Sequence, residues 1–357
     1  NYARQAAAIA VADPEAFNNL GNAEKDAGLV GDSLASYQKA IELDPDFALA
    51  HWNLSLALLS SGRFEEGFRE MKWRWRWPKF PGRRSSFNQP EWNGDDLNGR
   101  TLLLYPEQGL GDMLFMLRFS LALKSTSGRI ILELPETLIP LAEESQLADE
   151  ILSPTENQSP FDIHAPLMDI PRLCELSGPD LFRTTPYLWV PSHRHATWRN
   201  KLSHYDGLKI GLNWSGNPSN PVENRRGLPV EQLMSLAEDT RIIWFSLQKG
   251  ETPASPLPAD FPINDTGPAS LEDTAGMISA LDLVVTSDTA VAHLAGALGK
   301  RVWVLLHHDP DWRWSNGKTT PWYPSARLFR QTSPGDWTAV IAAVRADLTR
   351  ELHAMKD

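Results

Sequence analysis

Two different spacings of apolar residues divide the chain. Up to about residue 77, apolar positions recur every three or four residues, which is typical of amphipathic helices. From residue 100 onward, short apolar runs such as Thr101–Tyr105 alternate with longer helical stretches such as Met113–Leu123. This alternation predicts parallel sheets with helices on both faces. We therefore expect an all-α segment followed by α/β domains.

The helical segment contains an internal repeat. Four pairs of positions lie 34 residues apart: Phe17 and His51, Leu20 and Leu54, Gly28 and Gly62, Tyr37 and Met71. This period resembles the tetratricopeptide repeat, although Gly67 and Arg74 replace the small alanines of the second copy and Lys79 replaces its proline. The resemblance implies a surface that docks another protein. A short helical cap that only buttresses the next domain is the alternative, and both remain open.

The run Lys72–Trp77 alternates cations and aromatic rings. It could bind an anionic ligand, but we expect its rings to pack at a domain junction with the arginines stacked on them. The following stretch, Pro78–Pro90, is rich in turn-forming residues and is predicted to be a linker.

The strand-like runs fall into two sets. The first set is Thr101–Tyr105, Arg129–Leu134, Glu150–Leu152 and Asp162–Ala165; the second is Leu208–Trp214, Ile242–Leu247, Leu283–Thr286 and Val302–Leu306. A long helix, Trp337–Lys356, closes the chain and could cross back to the first set. The pattern predicts a GT-B type α/β fold: two doubly wound Rossmann-like domains, preceded by an all-α tetratricopeptide-repeat segment. Ligands of such folds lie between the carboxyl ends of the two sheets.

The loop Ser287-Asp288-Thr289-Ala290 joins a predicted strand directly to a predicted helix. Free N–H groups of the first helical turn and the helix dipole favour an anion there, and the Thr289 hydroxyl could add a donor. Asp288 would repel a bare phosphate and suits a cap or a sugar hydroxyl better. The alternative is an ordinary helix capped by Ser287 or Asp288.

Two motifs carry a family resemblance. Ser287–Ala295 resembles the signature D-[ST]-G-x-x-H-[IL]-A of the heptosyltransferase-like glycosyltransferases, family 9, with Ala290 in place of the glycine. Glu107–Asp112 resembles the first-strand loop G-[IL]-G-D of that family. The whole layout is similar to bacterial proteins that join tetratricopeptide repeats to this type of transferase. The resemblance implies a nucleotide-sugar donor held by the second half and an acceptor held by the first.

The resemblance also implies roles for the first-half residues. The aspartate at the position of Asp112 is the family's proposed base for the acceptor hydroxyl, and inverting transfer needs one such carboxylate. Gly109 and Gly111 let the backbone turn tightly and leave room for a sugar. The alternative is that Asp112 only caps a helix starting at Met113. Glu107 is the reserve base.

Further candidates are assigned to the two sides of the cleft. Gln108 and His164 are expected on the acceptor side; Trp214, Ser215, Gly216, Asn217, Arg225, Arg226, Gln248, Lys249 and His293 are expected on the donor side. A transferase without a metal needs cations at the leaving diphosphate, for which Arg225, Arg226 and Lys249 are candidates and the resemblance favours Arg226. Gln248 could read the nucleotide base. His293 would be a core residue by pattern alone, and the resemblance makes it an active-site neighbour.

Composition narrows the class of protein. The net charge of -11 argues against a nucleic-acid partner, and no apolar run approaches the ~20 residues that span a bilayer. The single cysteine, Cys174, cannot form an internal disulfide, so a cytoplasmic location is predicted. A metal at His307, His308, Asp309 and Asp311 is disfavoured, and we expect no metal cofactor. Trp312–Trp314 and Trp322-Tyr323 are expected to form a lip of the cleft.

The sequence therefore predicts a metal-independent, inverting glycosyltransferase. It would move a sugar, a heptose by resemblance, from a nucleotide-sugar to a hydroxyl of a protein or glycan, with a protein acceptor docked on the repeats. The expected domains are repeats at 1–80, a linker at 81–99, an acceptor domain at 100–195 and a donor domain at 196–357. Two alternatives stay open: a non-catalytic docking protein that keeps the GT-B shell, and a sugar-nucleotide 2-epimerase, which has no reason to carry repeats.

Overall fold

The computed structural model describes residues 5, 7, 9, 11–82, 87–154, 160–182, 185–220, 222–249 and 256–354. The predicted end of the closing helix at Lys356 lies outside these residues, as do parts of the predicted linker and of the first helical stretch. None of the described helices is both long enough and apolar enough to pass through a lipid bilayer.

Four helices form the repeat segment. They are α1 (Pro14–Asp26), α2 (Val30–Leu43), α3 (Ala48–Ser60) and α4 (Phe64–Glu70), followed by a 3₁₀ helix at Met71–Arg76. Helix α1 begins where the Asp13 carboxylate accepts a hydrogen bond from the Glu15 N–H, with Pro14 in the first turn. Gly21 is needed for the close crossing of α1 and α2, because a Cβ there would lie 2.5 Å from the Tyr37 ring. The predicted helical hairpins are therefore present.

The repeat segment packs firmly onto the α/β part of the chain. Phe68 and Met71 are almost fully buried and belong to the same apolar core as the first sheet. The Phe64 ring meets Phe182 edge to face at 5.6 Å and Trp322 at 5.0 Å. The buttressing role proposed for the repeats thus has a physical basis in this shared core.

The predicted packing of the Trp–Arg run at the domain junction is found only in part, because the Trp73 ring packs within the repeat segment. Trp73 stacks on His51 with ring centroids 3.8 Å apart, and the Arg76 guanidinium lies 4.5 Å from the centre of the Trp73 ring. Arg74 does more than stack on a ring. It is fully buried and donates to Glu107 and to Asp169, both at 2.7 Å. This ion-pair group joins the repeats to the first α/β half.

The first α/β half is a four-stranded parallel sheet. Its elements are β1 (Thr101–Tyr105), α5 (Leu110–Met116), a 3₁₀ helix (Leu117–Leu123), β2 (Arg129–Glu133), α6 (Ile139–Glu144), β3 (Glu150–Leu152), β4 (Ile163–Pro166), a 3₁₀ helix (Leu167–Asp169), α7 (Ile170–Leu173) and a 3₁₀ helix (Gly178–Leu181). The strand order is β3-β2-β1-β4, so the order reverses between β1 and β4.

The second half is a six-stranded parallel sheet. Its elements are α8 (Ser192–Leu202), β5 (Leu208–Asn213), α9 (Glu223–Arg226), α10 (Val230–Leu233), a 3₁₀ helix (Met234–Leu236), β6 (Ile242–Ser246), β7 (Ile263–Asn264), α11 (Leu271–Ala280), β8 (Leu283–Ser287), α12 (Ala290–Ala297), β9 (Val302–Leu306), a 3₁₀ helix (Trp312–Trp314), β10 (Ala326–Arg330) and α13 (Trp337–Ala354). The order β10-β9-β8-β5-β6-β7 is that of a doubly wound Rossmann sheet, with its reversal between β5 and β8. The expected α/β fold class is confirmed.

Some elements differ from the sequence-based prediction. Strands β7 and β10 and helix α8 were not predicted, and the helix expected over Met113–Leu123 starts earlier, at Leu110, and tightens to a 3₁₀ helix after Met116. The closing helix α13 does not cross back to the first half. It buries Trp337, Ile341 and Leu348 in the core of the second half, because its apolar face matches that sheet.

Candidate active site

A cleft of about 900 Å³ opens between the two α/β halves. Its walls come from the loops that follow β1, β5, β6, β8 and β9, all at carboxyl ends of strands. Both strand-order reversals face it, which is where ligands of doubly wound sheets bind. The predicted location of the site therefore coincides with a real cavity of the size that holds a ligand.

The loop after β8 leads into an open helix start. Thr289 is the N-cap residue of α12, and no side chain caps the helix. The Thr289 hydroxyl instead donates to the Asn213 side-chain oxygen at 2.8 Å, which ties the β8 loop to the end of β5. The alternative in which Ser287 or Asp288 caps the helix is wrong, so first-turn N–H groups beside Ala290 remain available to an anion. Ser287 is fully buried beneath the loop and does not line the cleft.

Asp288 lines the cleft beside this helix start. The pKa of its carboxyl group is raised to about 6, mainly by burial and also by the nearby Asp311 carboxylate, while Arg226 and Arg313 oppose the rise. A carboxyl group that is partly protonated near neutral pH repels an anion less than an ordinary aspartate does. This lessens the conflict between Asp288 and a neighbouring phosphate.

Asp112 lies in the first turn of α5, on the opposite wall. The N-cap residue of this helix is Gly109, so the alternative in which Asp112 caps a helix starting at Met113 is wrong. Its Oδ1 accepts a hydrogen bond from Nη2 of Arg313 at 2.9 Å. Burial raises the pKa of Asp112, and the Arg313 charge opposes that rise. A hydrogen bond from the Gly109 backbone also lowers the pKa of Asp112, so the carboxylate is held by its own loop as well as by Arg313.

The starts of α5 and α12 approach each other closely. Gly111 makes this possible, because a Cβ there would lie 3.1 Å from the His293 ring and 3.7 Å from the Ala290 Cα. The two predicted motifs, separated by about 175 residues in sequence, therefore meet in space. Gly109 also lines the cleft, on the same wall as Asp112.

His293 is a neutral group at the floor of the cleft. Burial lowers its pKa well below the ordinary value, and the charges of Arg313 and Arg118 lower it further. Its Nδ1 lies 3.0 Å from the Tyr323 hydroxyl, and its ring stacks on Trp314 at 5.0 Å. It lines the cleft, as the family resemblance implied.

The loop after β5 forms the wall near the predicted diphosphate. Ser215, Gly216 and Asn217 line the cleft together with Arg225 and Arg226. The Arg226 Nε donates to Glu223 at 2.6 Å, and the Glu223 carboxylate also accepts from the Gly216 N–H at 2.6 Å. These bonds hold the Arg226 side chain against the loop.

Three other donor-side candidates have different surroundings from those expected. Gln248 lines the cleft, but its amide is occupied: Oε1 accepts from the Asn213 side chain at 3.0 Å, and Nε2 donates to the Ser215 carbonyl at 3.0 Å. It braces the β5 loop and has little capacity left to read a base. Lys249 lines the cleft and donates to the Pro268 carbonyl. Trp214 packs into the core of the second half, outside the cleft lining.

Three acceptor-side candidates lie away from the cleft lining. Glu107 is fully buried in the bidentate pair with Arg74, so its expected role as reserve base is wrong. His164 is buried beside Phe87, with Nε2 at 3.1 Å from the Gln89 carbonyl, and does not face the cleft. Gln108 is half-buried and also lies outside the lining.

Sequence reasoning placed Arg313 only within the expected lip of the cleft and assigned Lys25 no role in the site. Arg313 reaches the cleft from the 3₁₀ helix of the predicted lip, and Lys25 reaches it from repeat helix α1. The Trp–Arg–Trp triplet in an acidic loop was the available signal for Arg313. No group of three or more His, Cys, Asp or Glu side chains suited to a metal occurs in the described ranges, and this includes the residues around His307 and Asp311.

Family models match part of the repeat segment and part of the second α/β half. Residues 21–62 match the family described as TPR repeat, and residues 239–338 match the family described as glycosyltransferase family 9 (heptosyltransferase). The two matches agree with the expected pairing of tetratricopeptide repeats with a family 9 transferase segment.

The chain is also similar to individual proteins. It is 25% identical to Protein FlbA of Caulobacter vibrioides over 94% of this chain, and it spans 61% of the length of that relative. The structure of E. coli ADP-heptose lps heptosyltransferase II gives a TM-score of 0.49 at 15% identity, over 72% of this chain and all of that one. The iron-containing dodecameric glycosyltransferase TibC from enterotoxigenic E. coli gives 0.45 at 12% identity, over 74% of this chain and 78% of that one. At these TM-scores the structural likenesses carry no argument about substrates.

Proposed function

Because the chain joins tetratricopeptide repeats to a family 9 glycosyltransferase segment, we propose that it is an inverting, metal-independent transferase that moves a sugar from a nucleotide-sugar to an acceptor hydroxyl. The observation that carries the proposal is the meeting of Asp112 and the Thr289 helix start across one cleft. One wall offers a carboxylate, and the other offers an anion site. Single displacement at a sugar carbon needs both, on opposite sides of the reacting centre.

In the proposed reaction, Asp112 takes the proton from the acceptor hydroxyl while its oxygen bonds to the anomeric carbon of the donor. The bond from that carbon to the diphosphate breaks at the same time, and the nucleoside diphosphate leaves with the electron pair. One displacement inverts the configuration at the carbon. The carboxylate contributes as a general base, typically a factor of about 10²–10⁴ in rate.

The donor half would stabilise the negative charge that develops on the leaving diphosphate. The first-turn N–H groups of α12 and its dipole point at the proposed diphosphate. Arg225 and Arg226 line the same wall, and Arg226 is the one held in place by Glu223. These fixed positive groups support a reaction without a metal, since pre-oriented donors stabilise a leaving anion directly.

A protein acceptor is proposed for the repeats. Lys25 of α1 lines the same cleft as Asp112 and Arg226, so a polypeptide bound along the repeats would have a short path to the reacting groups. The donor sugar is proposed to be a heptose linked to ADP, on the family match alone. A cytoplasmic location fits the single, partly buried thiol of Cys174, whose pKa burial raises to about 11.

A thermal-shift screen against ADP-, GDP-, UDP- and CMP-sugars tests the donor site. A ligand at 100 times its dissociation constant adds about 2.7 kcal/mol to the unfolding free energy, which is readily seen. The shift should shrink in Arg226→Gln. It should persist in the matched control Arg241→Gln, which breaks the exposed pair with Asp239 outside the cleft.

Turnover of the nucleotide-sugar that binds then separates the possible functions. Release of nucleoside diphosphate with an inverted product on a hydroxyl acceptor supports the proposal. Binding without turnover across candidate acceptors would favour a docking protein. Isomerised donor in the absence of any acceptor would favour a 2-epimerase.

A further inference from the structure

Arg313 forms a contact that joins the two α/β halves. It lies in the 3₁₀ helix Trp312–Trp314 of the second half, and its Nη2 donates to Asp112 Oδ1 of the first half at 2.9 Å. Its Nη1 donates to Asp311 Oδ1, also at 2.9 Å. The side chain is 4% exposed overall, and its guanidinium packs over the Phe115 ring at 4.7 Å and the Trp312 ring at 4.6 Å. The guanidinium is therefore packed against two rings and bound through both of its Nη groups.

The charged surroundings of Asp112 make this contact consequential. Burial and the Asp311 carboxylate favour the protonated form of Asp112, whereas the Arg313 charge and a backbone hydrogen bond from Gly109 favour the ionised form. His293 is neutral, so it offers no compensating positive charge. Asp288 and the Tyr323 hydroxyl are the other titratable groups that face the guanidinium. Arg313 is thus the cation in direct contact with the Asp112 carboxylate.

We infer that Arg313 is a positioning residue: it keeps the Asp112 carboxylate ionised and holds it at the cleft wall for the acceptor hydroxyl. A protonated carboxyl group cannot take the proton of an acceptor hydroxyl, so loss of Arg313 would remove the base without touching it. The inference rests on the proposed role of Asp112. The planar guanidinium of Arg313 matters as well as its charge, because a lysine side chain cannot bind Asp112 and Asp311 at once with fixed geometry.

Carbon-13 NMR titration of aspartate carboxyl groups tests this without an acceptor. The Asp112 signal is assigned by its loss in Asp112→Asn, and its pKa is compared in the wild type, Arg313→Gln and Arg313→Lys. We expect Arg313→Gln to raise the Asp112 pKa by about one unit or more, equivalent to a tenfold change in the ionised fraction at low pH. In Arg313→Lys the Asp112 pKa should lie between the values in the wild type and in Arg313→Gln.

The matched control is Arg330→Gln. Arg330 donates to the Trp314 and Ser315 carbonyls, so it anchors the same lip without contacting Asp112. Its loss should leave the Asp112 pKa near the wild-type value. An equal shift in Arg330→Gln, or no shift in either Arg313 variant whose thermal unfolding remains cooperative, would overturn the inference.

A kinetic arm separates this inference from the proposed function. In Arg313→Gln the acid limb of the kcat profile should move to higher pH, so that activity lost at low pH returns as the pH rises, while the donor dissociation constant changes less than about threefold. A loss of donor affinity with an unmoved acid limb would make Arg313 a donor contact and overturn the inference. If Asp112→Asn itself keeps full turnover, the proposed function fails, whatever the NMR titration gives.

Discussion

The Nζ of Lys25, in the first repeat helix, lies 3.3 Å from Oδ2 of Asp309, in the loop after β9 that borders the cleft. The two residues are 284 positions apart, and both line the cleft. The repeats therefore reach the candidate active site itself. A partner bound to the repeats could bias the position of this loop, and the strength of the junction decides how firmly the two parts are held together.

The junction should depend on apolar packing far more than on this ion pair. Phe68 is 2% exposed and meets the Trp312 ring at 5.8 Å. Phe68→Ala should lower the unfolding free energy by about 3–5 kcal/mol, the usual range for a buried phenylalanine. Lys25→Gln should cost less than about 1 kcal/mol, because both partners are partly exposed to water. Denaturant unfolding of the two variants checks this, and equal losses would contradict a packed junction.

The pKa of Asp288 predicts a pH dependence of folding and binding. Its folded value of about 6 lies above the unfolded value of about 3.9. Between these values the folded state holds a proton that the unfolded state has released, so the contribution to stability is lost as the pH rises through about 6. Nucleotide-sugar affinity should fall over the same range, because ionised Asp288 repels the diphosphate.

Asp288→Asn supplies the control for that pH dependence. The amide cannot ionise, so the affinity measured by calorimetry should vary less between pH 5 and 8, and should exceed the wild-type affinity at the upper end. A nucleotide-sugar is the suitable probe, since both of its phosphates are esterified and do not titrate in this range. An Asp288→Asn profile identical to that of the wild type would show that another group governs the dependence.

Gly111 should tolerate almost no side chain. Gly111→Ala would put a methyl group 3.1 Å from the His293 ring, between the starts of α5 and α12. We expect donor affinity or turnover to fall by at least about tenfold with little loss of thermal stability, because the cleft is altered more than the core. Gly31→Ala is the comparison for a glycine outside the cleft lining: a Cβ there meets no atom within 4 Å, and its backbone is helical. Unchanged turnover in Gly111→Ala would mean that the two helix starts have room to separate.

Local pattern predicted the sheets and the two loops because each depends on neighbouring residues. Thr101–Tyr105 and Leu283–Thr286 read as buried strands from their apolar runs, and a parallel sheet places the loops after them at one edge. Strand β10 was missed because Arg327 and Arg330 interrupt its short apolar run, although both residues are half-buried and Arg330 donates to the Trp314 carbonyl.

The direction in which a side chain points could not be predicted from the local sequence pattern. Glu107 follows β1 and His164 lies within β4, yet Glu107 turns toward Arg74 and His164 is buried among aromatic rings. Glu107 is bound by Arg74 of the repeat segment, and no local sequence pattern connects Arg74 to β1. Arg313 went unassigned for the same reason, since its contact with Asp112 spans 201 residues.

In the proposed reaction, the second half holds the donor, and Asp112 of the first half removes the acceptor proton. Asp112→Asn tests it most directly, because the amide keeps the shape of the side chain and can still accept the hydrogen bond from Arg313. Turnover and nucleotide-sugar affinity are measured on the same preparation. We expect kcat to fall by a factor of about 10²–10⁴, while the donor dissociation constant stays within a few-fold of the wild-type value. Full turnover in Asp112→Asn, or loss of donor binding together with turnover, would contradict it.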